Sequence, residues 1–111
     1  MIEDKIVAYL GEALDVPVSV EKPKGEKTFV LVDKTGSGEK DKIKSATFAV
    51  QSYAESLREA ILLNEKAKLA MEGMKALTNI SSVKLNTDYN FTDEETKEYR
   101  YQAVYDLEYM E

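Results

Sequence analysis

The stretch from Tyr99 to Tyr109 constrains the fold more than any other part of the chain. Tyr99, Tyr101, Ala103, Tyr105, Leu107 and Tyr109 take every odd position, and Arg100, Gln102, Asp106 and Glu108 take all but one of the even positions. Successive side chains of a strand point to opposite faces, so this spelling demands a sheet with one buried face and one wet face. At ~3.3 Å per residue the run would extend ~35 Å, well beyond a common strand, and part of it is expected to project past the body of a small domain. Tyrosine joins an apolar ring to a polar tip. A projecting strand faced with it suits contact with another subunit better than a closed core or a reaction pocket.

With 111 residues and 43% hydrophobic content, the chain is read as a single domain over 1–111 with one core. Its start, Met1-Ile2-Glu3-Asp4-Lys5, is charged, so neither a signal peptide nor a membrane span is expected and the protein is placed in a cytoplasm. Cysteine and histidine are both absent, which removes disulfides, thiolate metal sites and imidazole bases, and with them most enzyme mechanisms. The net charge of −6 is uneven: residues 21–44 carry +2 and residues 88–111 carry −6. Without a concentrated basic stripe, nucleic acid is not an expected partner.

Ile2, Ile6, Leu10, Ala13 and Leu14 recur at helical spacing, and Asp15-Val16-Pro17 then turns the chain out of the helix. Val16, Val18 and Val20 alternate as a short strand, and Thr28–Val32 is apolar on both faces as in a central strand, so the two are expected to pair as a hairpin. Residues 33–42 contain no hydrophobic side chain but two glycines, three lysines and three acidic residues, and are expected to form an exposed flexible loop. Ile43–Gln51 alternates again as a third strand. Ser52-Tyr53-Ala54-Glu55 has capping-box spelling, so a long helix is expected from Tyr53. Its inner positions are Leu57, Ala60, Ile61, Leu63, Ala67, Ala70, Met71, Met74 and Leu77, with a bend or fray at Gly73 and a stop at Asn79. Val83, Leu85, Thr87, Tyr89 and Phe91 give a fourth strand on one parity. Thr92-Asp93-Glu94-Glu95 suggests one helical turn before the last strand, which closes a C-terminal hairpin over 80–110. The order α-β-β-β-α-β-β specifies an α+β fold: a mainly antiparallel sheet of four to five strands, with an N-terminal helix and one long helix on one face.

Motifs that could carry chemistry fail on spacing. Thr35-Gly36-Ser37-Gly38-Glu39-Lys40 mixes glycine and lysine after a strand, but Glu39 splits the glycine from the lysine and a strand follows, so it is not a nucleotide loop. Asp88, Asn90, Asp93, Glu94, Glu95 and Glu98 are oxygen-rich, yet Asp93 stands where a calcium loop needs glycine and Tyr99 where it needs the closing glutamate. Glu55 and Glu59 bracket Arg58 and read as a surface ion-pair cluster. No catalytic residue, metal site or cofactor is assigned, and the chain is not read as an enzyme. The tyrosines are different. Tyr89, Tyr99, Tyr101, Tyr105 and Tyr109 share one parity of two neighbouring strands, and burying every hydroxyl in one small core would require as many partners. An inner half in the core and an outer half at an interface is expected.

Phe48–Ser56 leading into a long helix, Val83–Phe91, and Tyr99–Tyr105 together resemble small tail-terminator or tail-completion proteins of phages and prophages with long non-contractile tails. The likeness runs over residues 43–109. It implies a virion structural protein, present in the host cytoplasm during assembly. Such a protein forms a hexameric ring on the end of the tail tube, stops its polymerisation and joins it to the head connector; its partners would be copies of itself, the tube protein and the connector. Ring closure needs one patch to meet a different patch. The nominated patches are the basic 34–44 region, with Lys34, Lys40, Lys42 and Lys44, and the acidic 88–111 hairpin with its tyrosines. Alternatives are a head-closure or connector neck protein, and a stand-alone bacterial adaptor that binds one protein through a free sheet edge.

Overall fold

The computed structural model describes all 111 residues. Helix α1 (Ile2–Ala13) buries Ile2, Ile6 and Leu10. The chain then passes through β1 (Val18–Ser19), β2 (Phe29–Lys40) and β3 (Ile43–Ala54) to the long helix α2 (Leu57–Gly73). A 3-10 turn over Met74–Ala76 leads into β4 (Ile80–Asn90) and β5 (Tyr99–Tyr109). The fold is α+β in the expected order, a five-stranded sheet arranged β1-β2-β3-β5-β4 with both helices against one face. Every pairing is antiparallel except β1 with β2.

That exception corrects the expected first hairpin. Val18 pairs with Val30 in parallel, because the link from Glu21 to Thr28 is long enough to carry the chain back to the start of β2. The core lies between the helices and one sheet parity: Val30 and Val32, Ala46, Phe48 and Val50, and Ala103, Tyr105, Leu107 and Tyr109, packed by Leu63, Ala67 and Met71 of α2.

Two boundaries move for physical reasons. β3 continues to Ala54 and α2 is capped by Ser56, whose Oγ accepts the Glu59 amide at 3.2 Å. Ser52 is therefore a buried strand residue whose hydroxyl has no partner. Ser56-x-x-Glu59 carries the same spelling as Ser52-x-x-Glu55, and pairing of Ser52 with Val30 and Tyr101 decides between them. Downstream, α2 ends at Gly73, where the Tyr9 hydroxyl occupies the space a Cβ would need. No helical turn forms over 92–95. The Asp93 carboxylate instead accepts the Glu95 and Thr96 amides at 3.0 and 3.3 Å, and Asp93 bridges to Glu98.

The expected flexible loop over 33–42 is also strand. β2 continues to Lys40, and Asp41 (φ 52) and Lys42 (φ 68) form a two-residue turn into β3. Both turn residues lie in the left-handed region that such tight hairpin turns use, so the ladder of β3 can hold an apolar-free partner strand by backbone bonds alone. β5, by contrast, does not project. It is flanked along its whole length by β3, from Tyr99 against Ala54 to Tyr109 against Lys44, and by β4 on the other side.

Candidate functional site

The sheet face away from the helices carries no second layer, and a directed chain of hydrogen bonds crosses its proximal half. Arg100 donates to the Tyr53 hydroxyl (3.3 Å), Tyr53 donates to Gln51 (3.2 Å), Gln51 donates to Gln102 (2.6 Å), and Gln102 donates to the Tyr89 hydroxyl. Each donor is consumed by the next acceptor. Tyr89, 39% exposed, ends the series with its own proton free to donate outward. The arrangement follows from register, since Gln51 lies directly opposite Gln102 and Gln102 opposite Tyr89.

Tyr53 is buried on this face, as are Phe29, Gln51 and Gln102, because the side chains roof one another. Phe29 stacks on its ring at 4.5 Å, Lys22 lies 5.3 Å above it, and Arg100 sits between the rings of Tyr53 and Phe91 at 5.7 and 4.6 Å. The Arg100 Nε also donates to the Phe91 carbonyl at 2.6 Å. Cation-to-ring contacts of this kind fix side chains as well as hold charge. Beside them lies a cleft of about 780 Å³ whose walls include Lys22, Glu26, Tyr53, Asp93, Glu98 and Tyr99. Lys22 and Glu98 close 3.0 Å apart. The Asp93 carboxyl is held below its ordinary range by the two turn amides it accepts, so it stays an anion near neutral pH.

The nominated lysines do not form one patch. Lys34 pairs with Glu3 at 3.3 Å and Lys44 with Glu111 at 3.4 Å, whereas Lys40 and Lys42 at the turn have no ion pair. The acidic end of β5 runs beside the start of β3 in the same chain, with Lys44 opposite Tyr109 and reaching Glu111 just beyond it. The separation of charge along the sequence is therefore partly neutralised within one subunit.

The tyrosines divide as well. Tyr105 (2% exposed) and Tyr109 (5%) belong to the core, which removes them as free interface residues. Burial pushes the Tyr105 phenol up to about 12, reinforced by the charges of Glu72, Asp88 and Glu65. Tyr99 and Tyr101 are partly buried. Tyr89 is on the opposite face from Tyr105. A register shift between Leu85 and Thr87 inverts the parity of β4, so Leu85 faces Tyr105 while Tyr89 faces Gln102.

The same shift turns Asp88 toward the helices, where it accepts from Lys68 (2.9 Å) and from Asn64 (2.9 Å). The Lys68 bond holds the Asp88 carboxyl down, and Asp88 in turn raises Lys68. The oxygen-rich stretch 88–98 thus disperses: Asp88 under α2, Asp93 into a turn, Glu98 to Lys22 and Arg100. The residues missed by sequence reasoning are Gln51, Tyr53, Arg100 and Gln102. The one signal for Arg100 and Gln102 was the even parity of the last strand, which reads as ordinary wet surface until strand order is known, and Gln51 and Tyr53 on β3 had none.

No helix is long and apolar enough to cross a membrane. No protein-family model matches the chain, and comparison with curated proteins finds no relative.

Proposed function

We propose that this protein is a non-catalytic assembly subunit, a phage or prophage tail terminator that closes into a ring on the end of the tail tube and offers a surface to the head connector. The observation that carries this reading is β2 beyond Val32. Asp33 to Lys40 are in strand conformation and exposed, and β1 pairs only Val30 and Leu31, so the outer backbone edge of β2 is unpaired from Asp33 onward. An edge of this kind is completed by another chain. Its charges, two glycines and a register shift between Lys34 and Gly36 oppose indiscriminate strand addition, which favours a specific partner of fixed geometry. The segments that resemble tail terminators lie together, on β3 leading into α2, on β4 and on β5.

A head-closure subunit would use the same features. A stand-alone adaptor would also bind through a free sheet edge, and ring assembly separates it from both, since an adaptor stays monomeric or dimeric at high concentration. The test trims the outer end of the β2–β3 hairpin, by replacing Ser37–Ala46 with a two-residue Asn-Gly turn that leaves Gly36 opposite Thr47 as in the native ladder. We expect rings of the intact protein in negative-stain images and by light scattering, and a folded but unassembled trimmed protein. An intact protein that stays monomeric at every concentration overturns the proposal, as does a trimmed protein that assembles equally well.

A further inference from the structure

The free edge of β2 is complementary to itself. Between Asp33 and Lys40 only Thr35 has no partner on β3, so it is the extra residue at the register shift and Ser37 is the middle of the paired ladder. The shift also sets the faces. Asp33, Gly36, Gly38 and Lys40 lie on the open face of the sheet, opposite Ala49, Thr47, Ser45 and Ile43, whereas Lys34, Ser37 and Glu39 lie on the helix face, opposite Phe48, Ala46 and Lys44. Without the extra residue, Lys34 and Glu39 would point to opposite faces, and so would Asp33 and Lys40.

We infer that this edge pairs antiparallel with the β2 edge of a second copy, about a two-fold axis through Ser37. That axis sets Lys34 against Glu39 of the other copy on the helix face and Asp33 against Lys40 of the other copy on the open face, each contact occurring twice. Gly36 meets Gly38, and Ser37 meets Ser37, so no like charges come together at the centre. The choice of partner rests on this charge order. Asp33, Glu39 and Lys40 have no ion pair within the subunit, and Lys34 has Glu3 alone, at 3.3 Å. An axis through Gly36 or Gly38 instead sets Glu39 against Val32 or Ser37, and both ion pairs are lost. The backbone agrees with the register. Val30 donates its outward amide to Pro17, and the alternation carried past Thr35 turns Lys34, Ser37 and Glu39 outward in the same way. β1 covers only Val30 and Leu31, beyond the paired stretch. Two short strands bury less than the ~800 Å² per partner of a standard interface, so the dimer is reversible.

An edge filled in this way is closed to the head-to-tail contact that a ring requires. The inference rests on the reading above only in taking this edge as a contact surface. Dimer and ring then compete for it, and mass action favours the dimer in dilute solution and the larger ring in concentrated protein. The cysteine-free chain permits a direct test. Under mild oxidation, S37C should form its own disulfide at least about tenfold faster than K40C, because Cα atoms paired at the axis lie about 5.5 Å apart whereas the two Lys40 positions lie ~20 Å apart. In sedimentation of dilute cysteine-free protein, Asp33→Lys and Lys40→Asp should each raise the dimer dissociation constant about tenfold in a salt-sensitive way. Mixed in equal amounts, these two variants should pair with each other about as tightly as the unaltered protein pairs with itself, because the mixture again opposes unlike charges. Equal coupling of S37C and K40C overturns the inference, as does a dimer weakened by neither charge variant or a mixture no tighter than its parts. Rings in negative stain with no preference for S37C coupling would leave the tail-terminator reading standing and this one fallen. A dimer with the S37C preference and no larger species at any concentration would do the reverse.

Discussion

Asp88 shows how a single side chain can depart from a correct strand assignment. The alternation from Val83 to Phe91 is legible, and β4 forms there, but one inserted residue between Leu85 and Thr87 sends Asp88 inward to Lys68 and Asn64. About a quarter of each side chain of the ion pair is exposed, so we expect Asp88→Asn to cost roughly 1 kcal/mol in urea unfolding near neutral pH. The carboxyl is lowered in the folded state, so its contribution is present above the ordinary 3.8 and is lost as pH falls through the folded value. Lys68 is raised, so its contribution is present below the ordinary 10.5 and is lost as pH rises through the folded value. Stability measured against pH should therefore lose part of both limbs in Asp88→Asn. An unchanged profile would show that the pair contributes nothing. No periodicity could have placed this pair, because periodicity carries no information on where a ladder slips.

At the scale of elements, the start of α2 is the clearest contest between local and tertiary forces. Ser52 and Ser56 both open capping-box spellings, and local chemistry treats them alike. The ladder from β3 to β2 and β5 holds Ser52 extended, and the helix begins one turn later at Ser56. Ser56→Ala should thus cost about 1 kcal/mol of stability through the lost cap. Ser52→Ala removes a buried hydroxyl without a partner and should be neutral or stabilising, with the same denaturant midpoint measurement separating the two. The segment 33–42 follows the same rule in reverse. Its composition is that of a loop, yet a strand partner and a turn of two left-handed residues are enough to order it as β2.

For the whole molecule, the strand order decides which surfaces remain for partners. The last strand was expected to overhang, but it enters the sheet between β3 and β4, and the uncovered edge passes to β2. Amide hydrogen exchange should therefore be fast for the outward amides of Asp33–Lys40 in the monomer and slow for β5, and assembly should protect the former. Protection appearing on β4 alone would move the contact to the opposite edge. By itself the sequence determined the two helices, the inner parts of the main strands, their order and the buried parity of the last strand, because side-chain periodicity is a local fact. Strand order, three register shifts and the pairing of Lys34 and Lys44 within their own chain were decided only by tertiary structure. Each depends on which residues distant in sequence come to lie side by side, and the hydrophobic pattern along one strand is the same whichever neighbour it acquires.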